Sequence, residues 1–139
     1  MLKKIIVVSM LLGLALTGCS KKEAGDNEGR AGEPCLTQPT PIGDPKFPTP
    51  FPEIDDVTWS QTNEAGPSRI VQGFTGDALP DLFNEMKEKF GEGGYAVDKS
   101  ERDPHDAEVN FSSAKNTGQV RLAEECQGRT SVTITIRPK

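Results

Sequence analysis

Residues 79–90 read LPDLFNEMKEKF, and their apolar side chains recur at helical spacing. The apolar stripe occupies positions i, i+3, i+4, i+7 and i+11, and consists of Leu79, Leu82, Phe83, Met86 and Phe90. Asp77 is a candidate N-cap, Pro80 is tolerated in a first turn, and the glycines at 91, 93 and 94 end the helix. The stripe predicts a helix that packs on a core. A groove-binding helix needs a second amphipathic partner, which the sequence lacks.

Short segments of alternating polar and apolar residues flank this helix. Two precede it, around Val57–Trp59 and at 69–75, and four follow it, around Tyr95–Val97, Val109–Phe111, Val120–Leu122 and Val132–Ile136. The predicted order is therefore β-β-α-β-β-β-β. A sheet whose strands alternate polar and apolar residues has one apolar face, and only that face must be shielded from water by another element. We expect a single α+β domain over residues 54–139, a two-layer sandwich in which an antiparallel, curved sheet has one helix across one face.

A proline-rich segment, residues 34–53, precedes the predicted domain. Its prolines are at positions 34, 39, 41, 45, 48, 50 and 52. Proline fixes φ and removes an N–H donor, so this segment cannot be a helix or a central strand. We expect an extended arm that lies on the domain, here called the proline-rich arm. A ligand for a proline-recognising aromatic groove is the alternative.

The chain begins like an exported protein. Lys3 and Lys4 precede an uncharged run, residues 5–16, that is shorter than the roughly 20 residues needed to cross a bilayer. Leu16-Thr17-Gly18-Cys19 ends the run. These residues resemble the lipobox of bacterial lipoproteins, although an ordinary signal peptide with an incidental cysteine is the alternative.

The resemblance implies cleavage before Cys19, so residues 1–18 are a signal peptide and Cys19 receives a diacylglycerol and an N-acyl chain such as palmitate. Ser20 resembles the outer-membrane sorting signal of Gram-negative lipoproteins. Residues 19–33 are polar, with little to bury, and we expect a flexible tether. The expected location is the cell envelope, outside the cytoplasm, with the lipid bilayer as a partner.

Charge and cysteine content narrow the function classes. The net charge is −5, and removal of Lys3 and Lys4 makes the chain more acidic, which argues against nucleic acid as a partner. Lipidation of Cys19 leaves Cys35 and Cys126, and an even pair in an exported protein predicts a structural disulfide. The alternative is that the two cysteines bind a metal or form a redox pair. The sequence contains no C-x-x-C motif and only one histidine, which argues against both.

The sequence contains no complete catalytic motif. His105 lies in a turn with Asp103, Asp106 and Glu108, weak candidates for binding a divalent cation such as Ca²⁺, but without an EF-hand pattern. A Ser-His-Asp arrangement lacks its usual G-x-S-x-G. Glu124 and Glu125 are adjacent in a strand, so they point to opposite faces rather than into one cleft. We predict no catalytic residue, no metal site and no cofactor other than the lipid.

Two functional hypotheses remain. The first is a non-catalytic, membrane-anchored binding or accessory module that contacts an envelope protein or a cell-wall component through an open sheet face or an edge strand. The second is a small hydrolase or metal-dependent enzyme that uses the His105 loop. Substitution of His105 by alanine abolishes activity under the second hypothesis and leaves partner binding unchanged under the first.

Overall fold

The computed structural model describes residues 31–139. The predicted signal peptide at 1–18, the lipidation site Cys19, Ser20 and most of the tether at 19–33 lie outside the described residues. Within residues 31–139, no helix has the length and apolar character needed to span a membrane.

Within residues 31–139, six strands form one antiparallel sheet, and a single helix interrupts the strand sequence. The elements are β1 (Thr58–Ala65), β2 (Ser68–Thr75), α1 (Leu79–Glu92), β3 (Ala96–Arg102), β4 (Asp106–Ser112), β5 (Asn116–Cys126) and β6 (Arg129–Pro138). The order of strands and helix along the chain agrees with the sequence prediction. In space the strand order is β1-β2-β6-β5-β4-β3.

The position of the helix in the chain explains this topology. After the β1–β2 hairpin, α1 carries the chain to the far edge of the sheet, where β3 begins. Strands β3 to β6 then return by short turns, so that β6 pairs with β2. Strands β1 and β3 are therefore the two edges of the sheet.

One face of the sheet is the core face. Its alternating buried residues include Val71, Val109, Val120, Leu122, Val132 and Ile134, all fully shielded. Two glycines make room for aromatic rings on this face: Gly73 lies opposite Trp59, and Gly118 lies opposite Phe111. A Cβ at Gly118 would lie 2.5 Å from Phe111 Cζ and would overlap the carbonyl oxygen of Thr135, so the position requires glycine.

The expected two-layer sandwich, with its helix across one face, is wrong. Helix α1 buries its predicted stripe but contacts mainly β3, β4 and β5. A helix is about 10 Å wide, whereas six strands span about 24 Å at their usual spacing. One helix therefore covers only part of the core face, and the described residues 31–139 form chiefly a six-stranded antiparallel sheet with a single short helix.

Aromatic residues of the proline-rich arm also pack against the core. Phe47 and Phe51 stack on each other with ring centroids 4.3 Å apart. The Phe47 ring packs against Trp59 of β1 at 5.5 Å, and the Phe51 ring packs against Phe90 of α1 at 5.4 Å. The arm thus links the part of the core near edge strand β1 with the part under the helix.

Hydrogen bonds fix the arm along its length. Lys89 Nζ donates to the Glu53 carbonyl at 3.0 Å and pairs with Asp55 at 2.6 Å. The hydrogen bond with Asp55 raises the pKa of Lys89 above its ordinary value, although burial opposes the shift. The Tyr95 hydroxyl donates to the Pro50 carbonyl at 2.7 Å. Burial raises the pKa of Tyr95, so it stays a neutral donor at physiological pH.

The disulfide predicted from the cysteine count is present in the structure. Cys35 and Cys126 are bonded, with their Cα atoms 5.2 Å apart and a sequence separation of 91. The Gln127 N–H donates to the Glu33 carbonyl at 2.7 Å beside the bond. In the chain-entropy model, a disulfide that closes a loop of this size stabilises the fold by about 4–5 kcal/mol, because it lowers the entropy of the unfolded chain.

The predicted N-cap is wrong. Ala78 is the N-cap residue, and no side chain in the described part of the chain makes a capping hydrogen bond. The Asp77 carboxylate accepts a hydrogen bond from the Thr75 hydroxyl at 2.8 Å, and its carbonyl accepts one from the Thr130 hydroxyl at 2.9 Å. Asp77 therefore joins the end of β2 to the start of β6 instead of capping α1. Gly93 is the C-cap, in the glycine cluster expected to end the helix.

Candidate functional site

The sheet face opposite the core is polar and only partly exposed, and we call it the open face. The strand register aligns its side chains in rows that cross all six strands. One row is Gln61, Gln72, Thr133, Arg121, Glu108 and Glu101. The next row is Asn63, Ile70, Thr135, Gln119, Asn110 and Lys99. Neither α1 nor the aromatic residues of the arm cover this face, because they pack on the opposite side.

A cavity of about 430 Å³ lies on the open face over β1, β2, β6 and β5. We call it the open-face cavity. Its lining residues are Pro39, Ser60, Gln61, Gln72, Gly73, Phe74, Arg121, Ala123, Glu125, Ser131 and Thr133. Most of these side chains stand on hydrogen-bonded strands, which hold them at fixed spacing.

The cavity lining is rich in uncharged groups that both donate and accept hydrogen bonds. Gln61 and Gln72 are direct cross-strand partners, and Gln72 is also opposite Thr133. The Ser60 hydroxyl donates to the Gln72 carbonyl at 3.3 Å, at the bulge in β1. The amide groups of both glutamines contribute donors and acceptors without adding charge.

Phe74 and Glu125 line one end of the cavity, and Arg129 contacts both of them. The guanidinium of Arg129 lies 5.8 Å from the centre of the Phe74 ring. Arg129 Nε is also 2.8 Å from Glu125 Oε2. Neither atom makes a well-oriented hydrogen bond within the described part of the chain, so the contact is an ion pair without a hydrogen bond.

The proline-rich arm reaches this end of the cavity as well. Arg129 Nη1 donates to the Thr37 carbonyl at 2.6 Å, and Pro39 lines the cavity two residues later. The Cys35–Cys126 bond holds the arm at the same end of β5. The arm therefore shapes the open-face cavity at one end and contributes aromatic rings to the core at the other.

The His105 turn places the histidine next to one carboxylate at an exposed position. His105 Nδ1 lies 2.9 Å from Glu124 Oε2, but the histidine side chain is 70% exposed. Glu108 is on the open face, where it accepts a hydrogen bond from Gln119 at 3.2 Å. The Asp103 N–H donates to the Asp106 carbonyl at 2.8 Å, which closes the turn through backbone atoms.

The four candidate cation ligands Asp103, His105, Asp106 and Glu108 therefore do not converge. Within residues 31–139, no group of three or more His, Cys, Asp or Glu side chains is arranged to hold a metal ion. Glu124 and Glu125 also have different partners, His105 and Arg129 respectively, as expected for adjacent strand residues.

A larger cavity of about 720 Å³ lies beside the proline-rich arm and the residues that follow it, from Asp44 to Trp59. Its aromatic residues Phe47, Phe51 and Trp59 already pack on one another or on the core. Irregular chain forms most of its wall, whereas strands form the open-face cavity. We therefore take the open-face cavity as the candidate site.

Sequence reasoning did not single out the residues of this cavity. The alternation that identified the strands also implies a second, polar face, but it does not show which polar residues cluster there. Only the strand order brings Gln61 and Gln72 to the same place as Arg121, which lies far from both in the sequence. Comparison with protein-family models, curated proteins and solved structures found no match to this chain.

Proposed function

We propose that this chain is a lipid-anchored, non-catalytic binding module of the bacterial cell envelope, and that its open-face cavity holds a cell-wall saccharide. The observation that supports this most directly is the cavity lining. Regular strands there present uncharged hydrogen-bonding groups beside an aromatic ring.

The chemistry of the lining favours a saccharide over an apolar ligand. Each sugar hydroxyl both donates and accepts hydrogen bonds, and so do the side chains of Gln61, Gln72 and Thr133. Phe74 offers apolar surface for the C–H face of a sugar ring. Arg121 is exposed at the cavity and is suited to a carboxylate, a group that cell-wall glycopeptides carry.

The sequence motif at the N-terminus supports the envelope location. Leu16-Thr17-Gly18-Cys19 provides the predicted lipid attachment site, and the polar segment 19–33 provides reach. A coil of that length spans roughly 20 Å root-mean-square, enough to lift a small domain above lipid headgroups.

The anchor is tested by substitution of Cys19 by alanine in cells that express the full-length chain. We expect the variant to remain unprocessed at residue 18 and to lose acylation, as seen by metabolic labelling with a fatty acid and by intact mass. A Cys19→Ala protein that is still acylated and still cut before residue 19 would refute the lipoprotein assignment.

Binding is tested by calorimetric titration of the purified protein with soluble glycopeptide fragments of peptidoglycan. We expect the double variant Gln72→Ala/Thr133→Val to bind about 30-fold more weakly, because each of the two lost hydrogen bonds contributes about 1 kcal/mol. The matched control is Asn63→Ala, which alters a neighbouring open-face residue outside the cavity lining. It should bind like the wild type.

Two outcomes would overturn this proposal. The first is the absence of binding heat with the wild-type protein across fragments with and without the peptide. The second is hydrolysis of the fragments that disappears in His105→Ala, which would identify an enzyme that uses the exposed His105–Glu124 pair. A binding module instead leaves the fragments intact, and His105→Ala binds them normally.

A further inference from the structure

The two edges of the sheet differ in charge and in cover. Edge strand β1 is touched by the arm, because the Ile42 N–H donates to the Trp59 carbonyl at 2.8 Å. Edge strand β3 pairs with β4 on one side, and its other side faces no strand among the described residues. Strand β3 is also highly charged: its sequence from Asp98 to Arg102 is DKSER.

The order of charges on β3 is self-complementary. Lys99 and Glu101 are both on the open face, opposite Asn110 and Glu108 respectively, and Ser100 between them is opposite the core residue Val109. When a second copy of β3 is placed antiparallel with Ser100 facing Ser100, each Lys99 lies directly opposite a Glu101 of the other copy.

Neighbouring registers are unfavourable for a clear reason. In the symmetric pair, the two-fold axis that relates the two copies passes between the two Ser100 residues. A different register that still keeps the core faces of both copies on the same side must place another residue on this axis. The shift to one side places Lys99 opposite Lys99, and the shift to the other places Glu101 opposite Glu101. Like charges directly opposite each other destabilise a strand pair. The register centred on Ser100 avoids both repulsions.

From this register we infer that β3 is a homodimer interface, through which two copies of this chain join their sheets edge to edge into one twelve-stranded antiparallel sheet. The occupant of the edge is therefore a second copy of the same chain. Lysine on an exposed edge usually protects against pairing with other chains. Here its partner Glu101 lies within the same strand, so the charges exclude foreign strands and accept their own copy.

The charged side chains are available for this contact. The Lys99 and Glu101 side chains are 65% and 62% exposed, and they pair within one chain at 2.8 Å. In the dimer each lysine lies between two carboxylates and each carboxylate between two lysines. Because these pairs stay near solvent, the dimer should weaken as salt concentration rises.

Cysteine crosslinking tests the register in membranes of cells that express the full-length chain. Ser100→Cys places two thiols opposite each other on the axis, at a Cα separation of about 4.5–5.5 Å, which a disulfide can bridge. We expect a crosslinked dimer on mild oxidation. The matched control is Thr62→Cys on the other edge strand, which should give no dimer beyond background.

Charge reversal then separates specific pairing from random collision. In the Ser100→Cys background, Lys99→Glu and Glu101→Lys should each reduce dimer formation about 30-fold, because two attractive pairs become repulsive. Co-expression of these two variants, with different tags, should restore crosslinking between them. In that mixed dimer the two carboxylates of one variant, at positions 99 and 101, face the two lysines of the other. The intrachain Lys99–Glu101 pair is lost in both variants, so only intermolecular pairing explains the rescue.

Equal crosslinking of Ser100→Cys and Thr62→Cys would overturn the inference. So would charge variants that crosslink as well alone as together. Neither result affects the proposed saccharide site, because the open-face cavity involves β1, β2, β6 and β5 and leaves β3 out.

Discussion

Substitution of Phe51 by alanine tests whether the proline-rich arm is part of the folded core. The Phe51 ring contacts Phe90, Tyr95 and Phe111 with centroid distances of 5.4, 5.9 and 6.1 Å. It also stacks on Phe47. If the arm completes the core, removal of this ring leaves a cavity between the helix and the sheet.

The expected loss can be worked from these contacts. Truncation of a fully buried phenylalanine to alanine costs about 3–5 kcal/mol. Phe51 is only partly buried, so we expect Phe51→Ala to lower the free energy of unfolding by about 2–3 kcal/mol. With a urea m-value of about 2 kcal/mol/M, the midpoint should fall by about 1–1.5 M.

The assay is equilibrium urea unfolding of the purified protein followed by tryptophan fluorescence. Trp59 is the sole tryptophan, is 7% exposed and packs against Phe47, so it reports unfolding while the substitution removes no aromatic ring that packs directly on it. The matched control in the same arm is Leu36→Ala, since Leu36 is 94% exposed and should change stability by less than about 0.5 kcal/mol. If Phe51→Ala costs no more than this control, the arm is not part of the core.

Three further predictions use the same assay. Replacement of Cys35 and Cys126 by serine should cost about 3–5 kcal/mol, because their bond closes a long loop. Gly118→Ala should cost about 1–3 kcal/mol, because the new Cβ meets a ring atom and a backbone oxygen. The raised pKa of Lys89 means that its pairing with Asp55 stabilises the fold below the ordinary lysine pKa of 10.5 and is lost as pH rises beyond it. Asp55→Asn should therefore flatten the fall in stability at high pH.

Each of these predictions has a control. The cysteine variant should match the wild type measured with reductant, and a stable reduced protein would contradict the role of the disulfide. Gly43→Ala adds a Cβ into open space and should be nearly neutral. Wild type and Asp55→Asn share the raised pKa of Tyr95, so their difference isolates the lysine; identical pH profiles would contradict the Lys89 prediction.

The strand and helix order was predictable because alternation and helical spacing are local properties. Val132, Ile134 and Ile136 alternate with threonines and indicate a strand without any knowledge of its neighbours. The helix likewise buries the five residues that its spacing singled out. A local pattern does not show, however, how much of the core face of the sheet one helix can cover. For this reason the prediction of a two-layer sandwich was wrong.

Phe47 and Phe51 cover part of the core face that the helix leaves open, and the sequence did not predict this. Prolines correctly excluded regular structure around them, but an irregular segment can still bury aromatic rings against a sheet. The N-cap failed for a related reason. Asp77 has the right residue type for a cap, yet tertiary hydrogen bonds with Thr75 and Thr130 compete for it. Such long-range competition is absent from a linear pattern.

The Cys35–Cys126 bond also determines how the domain responds to mechanical tension. A pull on the chain from the N-terminal side of residue 35 passes through the sulfur atoms to the end of β5, next to its hairpin with β6. Residues 36–57 then carry none of this force, so a pull from that side does not detach Phe47 and Phe51 from the sheet. The strain falls instead on β5 and β6, each of which is bonded to strands on both sides and resists shear.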